Sequence, residues 1–187
     1  MSKLLKGKND DIVNELVTNQ KLHNIYKKIS TVCDGDIYRN RRFEFEYHLP
    51  GFDASINIAN LSTGLKTFAI LKLLLQNGVI EYNGVIILDE PEIHLHPEWQ
   101  LLFAELIVLL HKEFNMHILL NSHSPYFINA IEVYSAKYLV ANKCKYYLTE
   151  EYNKKIRIND VTECIELIYK KLAKPFQVLE NEKYDKF

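Results

Sequence analysis

The sequence predicts an α/β fold with a mostly parallel sheet core flanked by helices and closed by a C-terminal β-hairpin and helix. Three observations predict it. Val85-Ile86-Ile87-Leu88 is a short, continuous, β-branched run of the kind found in strands buried on both faces. Ile118-Leu119-Leu120 is a second such run. Between them Trp99, Leu102, Phe103, Leu106, Ile107 and Leu110 recur at helical spacing after Pro97, a residue suited to a first helical position. A strand, a helix and a strand in that order make a parallel βαβ unit. Ligands of open parallel sheets bind beyond the carboxyl ends of the strands. There the sequence places Asp89-Glu90 and Ser122-His123.

The other elements follow in chain order. Residues 9–29 carry Ile12, Val13, Leu16, Val17, Ile25, Tyr26 and Ile29 on an amphipathic helical face. Phe43 to Leu49 alternates, with Phe43, Phe45 and Tyr47 on one side, and Ala54 to Ile58 alternates again. Pro50-Gly51 is a turn signal, so these two strands form a hairpin. An apolar helix runs from about Leu65 to Leu75 and stops at Asn77-Gly78. After the βαβ unit come a short helix, a strand near Tyr138 to Ala141, a hairpin of Tyr146 to Thr149 with Lys155 to Ile158, and a helix from about Thr162 to Lys171.

Composition bounds the function. With 187 residues, 48% hydrophobic and 25% charged, the chain is long enough for one domain with its own core. A formal net charge of -1 supplies no global basic field for nucleic acid or membrane. The basic run Arg39, Arg41, Arg42 is local and fits an exposed loop or strand edge. Cys33, Cys144 and Cys164 form no C-x-x-C pair. An odd cysteine count fits a reducing compartment, and Met1 to Asp11 has no apolar signal-peptide core. No apolar run reaches membrane-spanning length, so a cytoplasmic protein is expected.

The chemistry rests on four clusters. Two adjacent acids at the end of a buried strand are costly unless they are paired or hold a cation. Magnesium takes oxygen ligands from one or two carboxylates together with phosphates, a role for Asp89. Glu90 is then placed to polarise an attacking water as general base. The plainer alternative is a helix cap or a surface cation site. His123, one strand on, has a ring N–H for a γ-phosphate oxygen; the alternative is a loop histidine with a local bond. Leu61-Ser62-Thr63-Gly64 opens a helix, where free N–H groups favour phosphate and Gly64 permits close approach. It also fits a simple cap. In Glu92-Ile93-His94-Leu95-His96 the alternation suits metal ligands on an extended strand, but no third histidine or cysteine stands nearby, and a loop contacting a partner subunit suits it as well. Gly64-Leu65-Lys66-Thr67 is not a phosphate-binding loop. Leu65 separates glycine from lysine, Ala59 stands where the earlier glycine is required, and no G-x-x-x-x-G-K-[ST] occurs among the 187 residues.

In this order the motifs resemble the ABC-type ATPase heads of the SMC, RecF and OLD group, the bacterial AAA-15 and AAA-21 proteins. Leu61 to Lys66 is similar to the signature loop, Val85 to Pro91 to Walker B, Glu92 to Pro97 to the D-loop region, and Asn121 to Pro125 to the switch-histidine loop. Asn159-Asp160-Val161-Thr162 before a helix also resembles bacterial members, and the likeness spans about residues 54–175. It implies a partial P-loop NTPase fold with ATP and Mg2+ as cofactors. Residues 1–53 are then a helix and strand segment leading into the head, and residues 54–187 the C-terminal lobe, together one compact unit. In this family two heads sandwich two ATP molecules. By position, Ser62 and Gly64 touch the γ-phosphate held by a partner, whereas Asp89 (magnesium), Glu90 and His123 serve this chain's own site. The family's P-loop and Q-loop lobe should precede this segment, and residues 1–53 carry neither motif.

Three functions follow as expectations. The first is an ATPase half completed by a P-loop lobe, as a homodimer or a heteromer, with a possible DNA or nuclease partner and no membrane. It expects an apolar sheet edge or face that a partner covers. The second is a non-catalytic ABC-like dimerisation module. The third is a metal-dependent nuclease using Asp89, Glu90 and Glu92.

Overall fold

The computed structural model of the protein describes residues 20–184. Helix α1 covers residues 20–29, and the part of the expected 9–29 helix before residue 20 lies outside the described residues. Then come β1 (Asp36–Arg39), β2 (Phe45–His48), β3 (Ser55–Asn57), a 3-10 turn at Ile58–Asn60 and α2 (Thr63–Gln76). The βαβ unit is β4 (Val85–Asp89), α3 (Pro97–Phe114) and β5 (His117–Asn121). It is followed by α4 (Pro125–Lys137), a 3-10 turn at Ala141–Lys143, the hairpin β6 (Tyr147–Tyr152) and β7 (Lys155–Asp160), and α5 (Glu166–Tyr184).

β4 and β5 are parallel and in register, Val85 opposite His117 through Asp89 opposite Asn121. Among the described residues the parallel sheet has two strands, and β1–β2–β3 and β6–β7 form separate antiparallel sheets. The expected hairpin is the β2–β3 pair, with Tyr47 opposite Ile56. Phe43 is not part of it. It sits in a turn at φ +64°, stacked under Arg39 with the guanidinium 4.8 Å from its ring. β1 adds an edge strand that the sequence pattern does not announce, because Ile37 is its only buried residue.

Helix α3 is the central element. Pro97 is at its first turn, His96 accepts the Glu98 N–H (3.4 Å), and Asn115 ends it in the left-handed region at φ +50°. Phe103, Ala104, Leu106, Ile107, Leu110 and Phe114 are buried along it. Aromatic edges tie it to its neighbours. Phe68 of α2 meets Trp99 at 5.8 Å and Phe103 at 5.6 Å, both near-perpendicular, and Phe103 stacks on Phe127 of α4 at 6.3 Å. Such edge contacts contribute about 0.5–1.5 kcal/mol each beyond burial.

Three expectations fail here for physical reasons. Tyr138 to Ala141 is not a strand but the end of α4. The Leu139 N–H donates to the Ala136 carbonyl (3.1 Å) and the Val140 N–H to that of Ser135 (2.8 Å), the paired bonds of a Schellman cap. Leu139 occupies the left-handed position at φ +62°, where glycine is usual. Nor is β4 buried on both faces. Ile86, Leu88, Ile118 and Leu120 pack on the core, but Val85 (72%), Ile87 (70%) and Leu119 (63%) are exposed on the other face. The last helix starts at Glu166 rather than Thr162, because Thr162 is a turn residue whose Oγ1 accepts the Tyr146 N–H at 3.0 Å.

Glu105, buried on α3, gathers three neighbours. Lys28 of α1 (2.7 Å), Lys137 of α4 (3.0 Å) and Tyr138 (2.5 Å) all donate to it. Burial alone would raise its pKa, but these hydrogen bonds, Lys28 first, outweigh it and bring the carboxyl to about 2. A folded-state pKa below the unfolded one gives stability that is present above the unfolded value and lost as pH falls through the folded value. Glu105→Gln is therefore expected to lower unfolding free energy at neutral pH by about 1–3 kcal/mol. The loss should shrink as pH falls from the ordinary glutamate range toward about 2, read from urea unfolding across that range.

Candidate functional site

The site begins where the parallel strands end. Side chains alternate along a strand, so Val85, Ile87 and Asp89 share one face of β4, and their partners His117, Leu119 and Asn121 share it on β5. All six are exposed. Asp89 thus stands at the carboxyl end of the uncovered apolar face. Its Oδ1 accepts from the Asn121 side-chain amide at 2.8 Å, a partner that the parallel register places opposite it.

Glu90 leaves the strand abruptly. Its N–H still donates to the Asn121 carbonyl (2.9 Å), but its φ is +45°. That left-handed conformation costs an L-residue about 1–2 kcal/mol. The turn brings its carboxylate to His123, with Oε1 3.2 Å from Nε2. Both groups contact solvent, so the pair contributes little to stability. Its interest is placement: two adjacent strand ends present an acid–base pair beside Asp89.

The loop carrying His123 is held by its serines. Ser122 Oγ donates to Glu92 Oε1 and accepts the Ser124 N–H (3.1 Å). Ser124 Oγ caps α4 by accepting the Phe127 N–H (3.2 Å) and donates to Gln100 Oε1 (2.7 Å). The Gln100 side-chain amide in turn donates to the Leu95 carbonyl (3.1 Å).

Residues 91–94 form a turn, not an extended strand, which corrects the geometry assumed for Glu92, His94 and His96. Glu92 is buried, whereas His94 and His96 are exposed. Among the described residues no three His, Cys, Asp or Glu side chains converge as a metal cluster. Neither Glu92, His94 and His96 nor Asp89, Glu90 and Glu92 form such a cluster among the described residues.

Ser62 and Gly64 begin α2. Ser62 Oγ accepts the Leu65 N–H at 3.4 Å, a long cap, and Ser62 is exposed. Gly64 is buried against the turn after β4. A Cβ there would stand 2.9 Å from the His94 carbonyl oxygen and 3.3 Å from the Trp99 ring. No hydrogen bond or ion pair among the described residues joins Ser62 or Gly64 to Asp89, Glu90 or His123. Sequence reasoning missed Gln100 and gave Glu92 no part in holding the histidine loop. Gln100 carries no motif signal, being one of several polar residues on a largely apolar helix.

The strain at Glu90 is measurable. Because glycine adopts the left-handed region freely, Glu90→Gly is expected to be more stable than Glu90→Ala by about 1 kcal/mol. That is the reverse of their order in a regular strand, and urea unfolding of the two variants decides it.

Comparison with known proteins places this geometry. The family described as "AAA domain, putative AbiEii toxin, Type IV TA system" matches residues 6–129. The "Septu protein PtuA" of Bacillus thuringiensis is 30% identical over 139 residues, covering 64% of this chain and 34% of the relative. The "Retron Vc95 probable ATPase" of Vibrio cholerae serotype O1 biovar El Tor is 29% identical over 148 residues, covering 70% of this chain and 28% of the relative. The chain thus spans about a third of the length of these curated relatives. Among solved structures, a chain from work on ATP-driven dimerization and DNA stimulated activation of SMC ATPases superposes with a TM-score of 0.52 at 16% identity, covering 94% of this chain and 97% of that one. The Smc head domain of Pyrococcus furiosus, bound to the C-terminal domain of ScpA, gives 0.53 at 14% identity, covering 97% of this chain and 44% of that one. The chain therefore belongs to the AAA-domain family that matches it, and its fold is that of the SMC-like ABC ATPase heads.

Proposed function

We propose that this chain is an ATP-binding and ATP-hydrolysing head unit whose nucleotide site is completed by a P-loop-bearing lobe. The observation that carries the proposal is that Asp89 shares one uncovered sheet face with Val85, Ile87 and Leu119. Apolar side chains so placed favour a covering element, at roughly 25 cal/mol per Å² removed from water. Whatever covers them brings its own groups to Asp89. No G-x-x-x-x-G-K-[ST] occurs in these 187 residues, so the phosphate cradle comes from outside this stretch, either from further sequence of the same protein or from another polypeptide. The "probable ATPase" description of the Vibrio cholerae relative supports the same activity.

The roles follow from position. Asp89, with one oxygen held by Asn121, is a hard-oxygen donor of the type that fits magnesium beside phosphate oxygens. A bound magnesium ion would supply charge neutralisation on the β- and γ-phosphate oxygens. Glu90 polarises the attacking water, which requires it to exchange His123 for water as its partner. His123 donates its ring N–H to a γ-phosphate oxygen. Ser62, weakly engaged in its cap, and Gly64 serve the nucleotide of an opposing head, whether a second copy or a different subunit. Possible DNA or nuclease partners belong to the same proposal, with the head as their ATP-driven element.

The test uses the complete protein, including the P-loop-bearing part. Glu90→Gln is expected to lower ATP turnover by about 10²–10⁴-fold while ATP stays bound. Retained turnover would remove Glu90 as the base. Ile87→Lys alters only an exposed side chain of this unit and is expected to abolish ATP binding and turnover together by blocking the covering lobe. Tight self-association of the wild type with no thermal shift from Mg-ATP would instead establish a non-catalytic dimerisation module.

A further inference from the structure

We infer that Glu92 is a positioning residue for His123, acting through Ser122; the inference rests on the ATPase proposal above. Glu92 is 3% exposed, in the turn that follows Glu90. Its Oε1 accepts the Ser122 hydroxyl, while its Oε2 is buried and has no hydrogen-bond partner among the described residues. A buried polar atom without a partner costs about 1–3 kcal/mol. The one hydrogen bond this carboxylate makes among the described residues is to the loop that carries His123.

What the carboxyl group does is direct Ser122. The single Ser122 O–H points to Glu92, which leaves a lone pair for the Ser124 N–H (3.1 Å). The two bonds bracket His123 between donor and acceptor, one residue to each side. Glu92 lies two residues from Glu90, so one short turn sets both members of the Glu90–His123 pair at their 3.2 Å separation. The turn has its own anchors. Leu95 is buried, the Leu95 N–H donates to the Glu92 carbonyl (2.9 Å), and Gly64 of the signature-like loop packs on the His94 carbonyl.

A second tie makes the inference testable. Ser124 Oγ to Gln100, and Gln100 to the Leu95 carbonyl, holds the same loop without Glu92. Removing the carboxyl group should therefore free His123 without unfolding the loop. In the complete protein, Glu92→Leu and Ser122→Ala are expected to lower kcat by about 10–100-fold with KM little changed and with thermal stability unchanged or raised. Glu92→Gln keeps an acceptor oxygen and should retain most of kcat, an outcome that a metal-ligating carboxylate would not allow. In the His123→Ala background Glu92→Leu should cause no further loss, whereas a merely structural defect would add to it. Hydrogen exchange at the Ser124 amide, measured without nucleotide, should quicken in Glu92→Leu and Ser122→Ala but not in Glu92→Gln. Unchanged exchange in Glu92→Leu, or losses that add to His123→Ala, overturns the inference alone. A wild type without ATP turnover overturns the ATPase proposal, and with it the catalytic purpose of the link.

Discussion

Parallel pairing of β4 and β5, in the register that sets Asp89 opposite Asn121, is the constraint on which the site depends. Parallel strands end side by side at the same edge, so two loops distant in sequence are delivered to one place. Strand alternation does the rest. Asp89 must share a face with Ile87 and Val85, and the next residue in an extended chain would point to the opposite face. The left-handed φ of Glu90 breaks that alternation and turns its carboxylate toward the loop after β5 instead. The acid–base pair thus depends on one backbone departure at the end of one register-locked strand.

Helix α3 makes that register durable. It is buried on every side from Phe103 to Leu110, and its aromatic contacts reach α2 through Phe68 and α4 through Phe127. The helix behind the signature-like loop and the helix behind the histidine loop are therefore packed on the same central element. Glu105 adds a polar clamp at the middle of α3, where α1 and α4 both supply a lysine. Its lysine partners sit partly in water, so the carboxylate is compensated without isolating charges in the core.

The βαβ unit was legible in the sequence because its signals are strong and local. Pro97 marks a helix start, two β-branched runs have strand length, and polar clusters follow each. The end of α2 was legible for the same reason: Gly78 at φ +64° supplies the left-handed position of its Schellman cap, with Val79 donating to Leu74 (3.0 Å). The end of α4 uses the same hydrogen bonds but places Leu139 where glycine is usual, so its apolar sequence reads as a strand. β1 escaped because an edge strand with one buried residue has no alternation to show. At the site, Asp89, Glu90 and His123 followed from residue type and order. The role of Glu92 did not, because alternation with His94 and His96 suggests a ligand strand, and only the turn reveals that Glu92 points inward.

The departures from local rules gather at one end of the parallel sheet. Three exposed aliphatic side chains lead to Asp89, Glu90 is held in a conformation that disfavours side chains, and Glu92 buries an oxygen without a partner. Each lowers the stability of the described unit. The opposite face of the sheet shows the reverse pattern, with Ile86, Leu88, Ile118 and Leu120 packed on a core of well-capped helices. Stability and chemistry are thus separated by the plane of the β4–β5 sheet. The helical side supplies enough packing to tolerate strain at the strand ends. The uncovered side keeps exposed apolar side chains and the polar groups of the candidate site within a few residues of one another. Under the proposed function, docking of a covering lobe and assembly of the active site would be a single event, because the side chains of β4 that it would bury lead directly to Asp89.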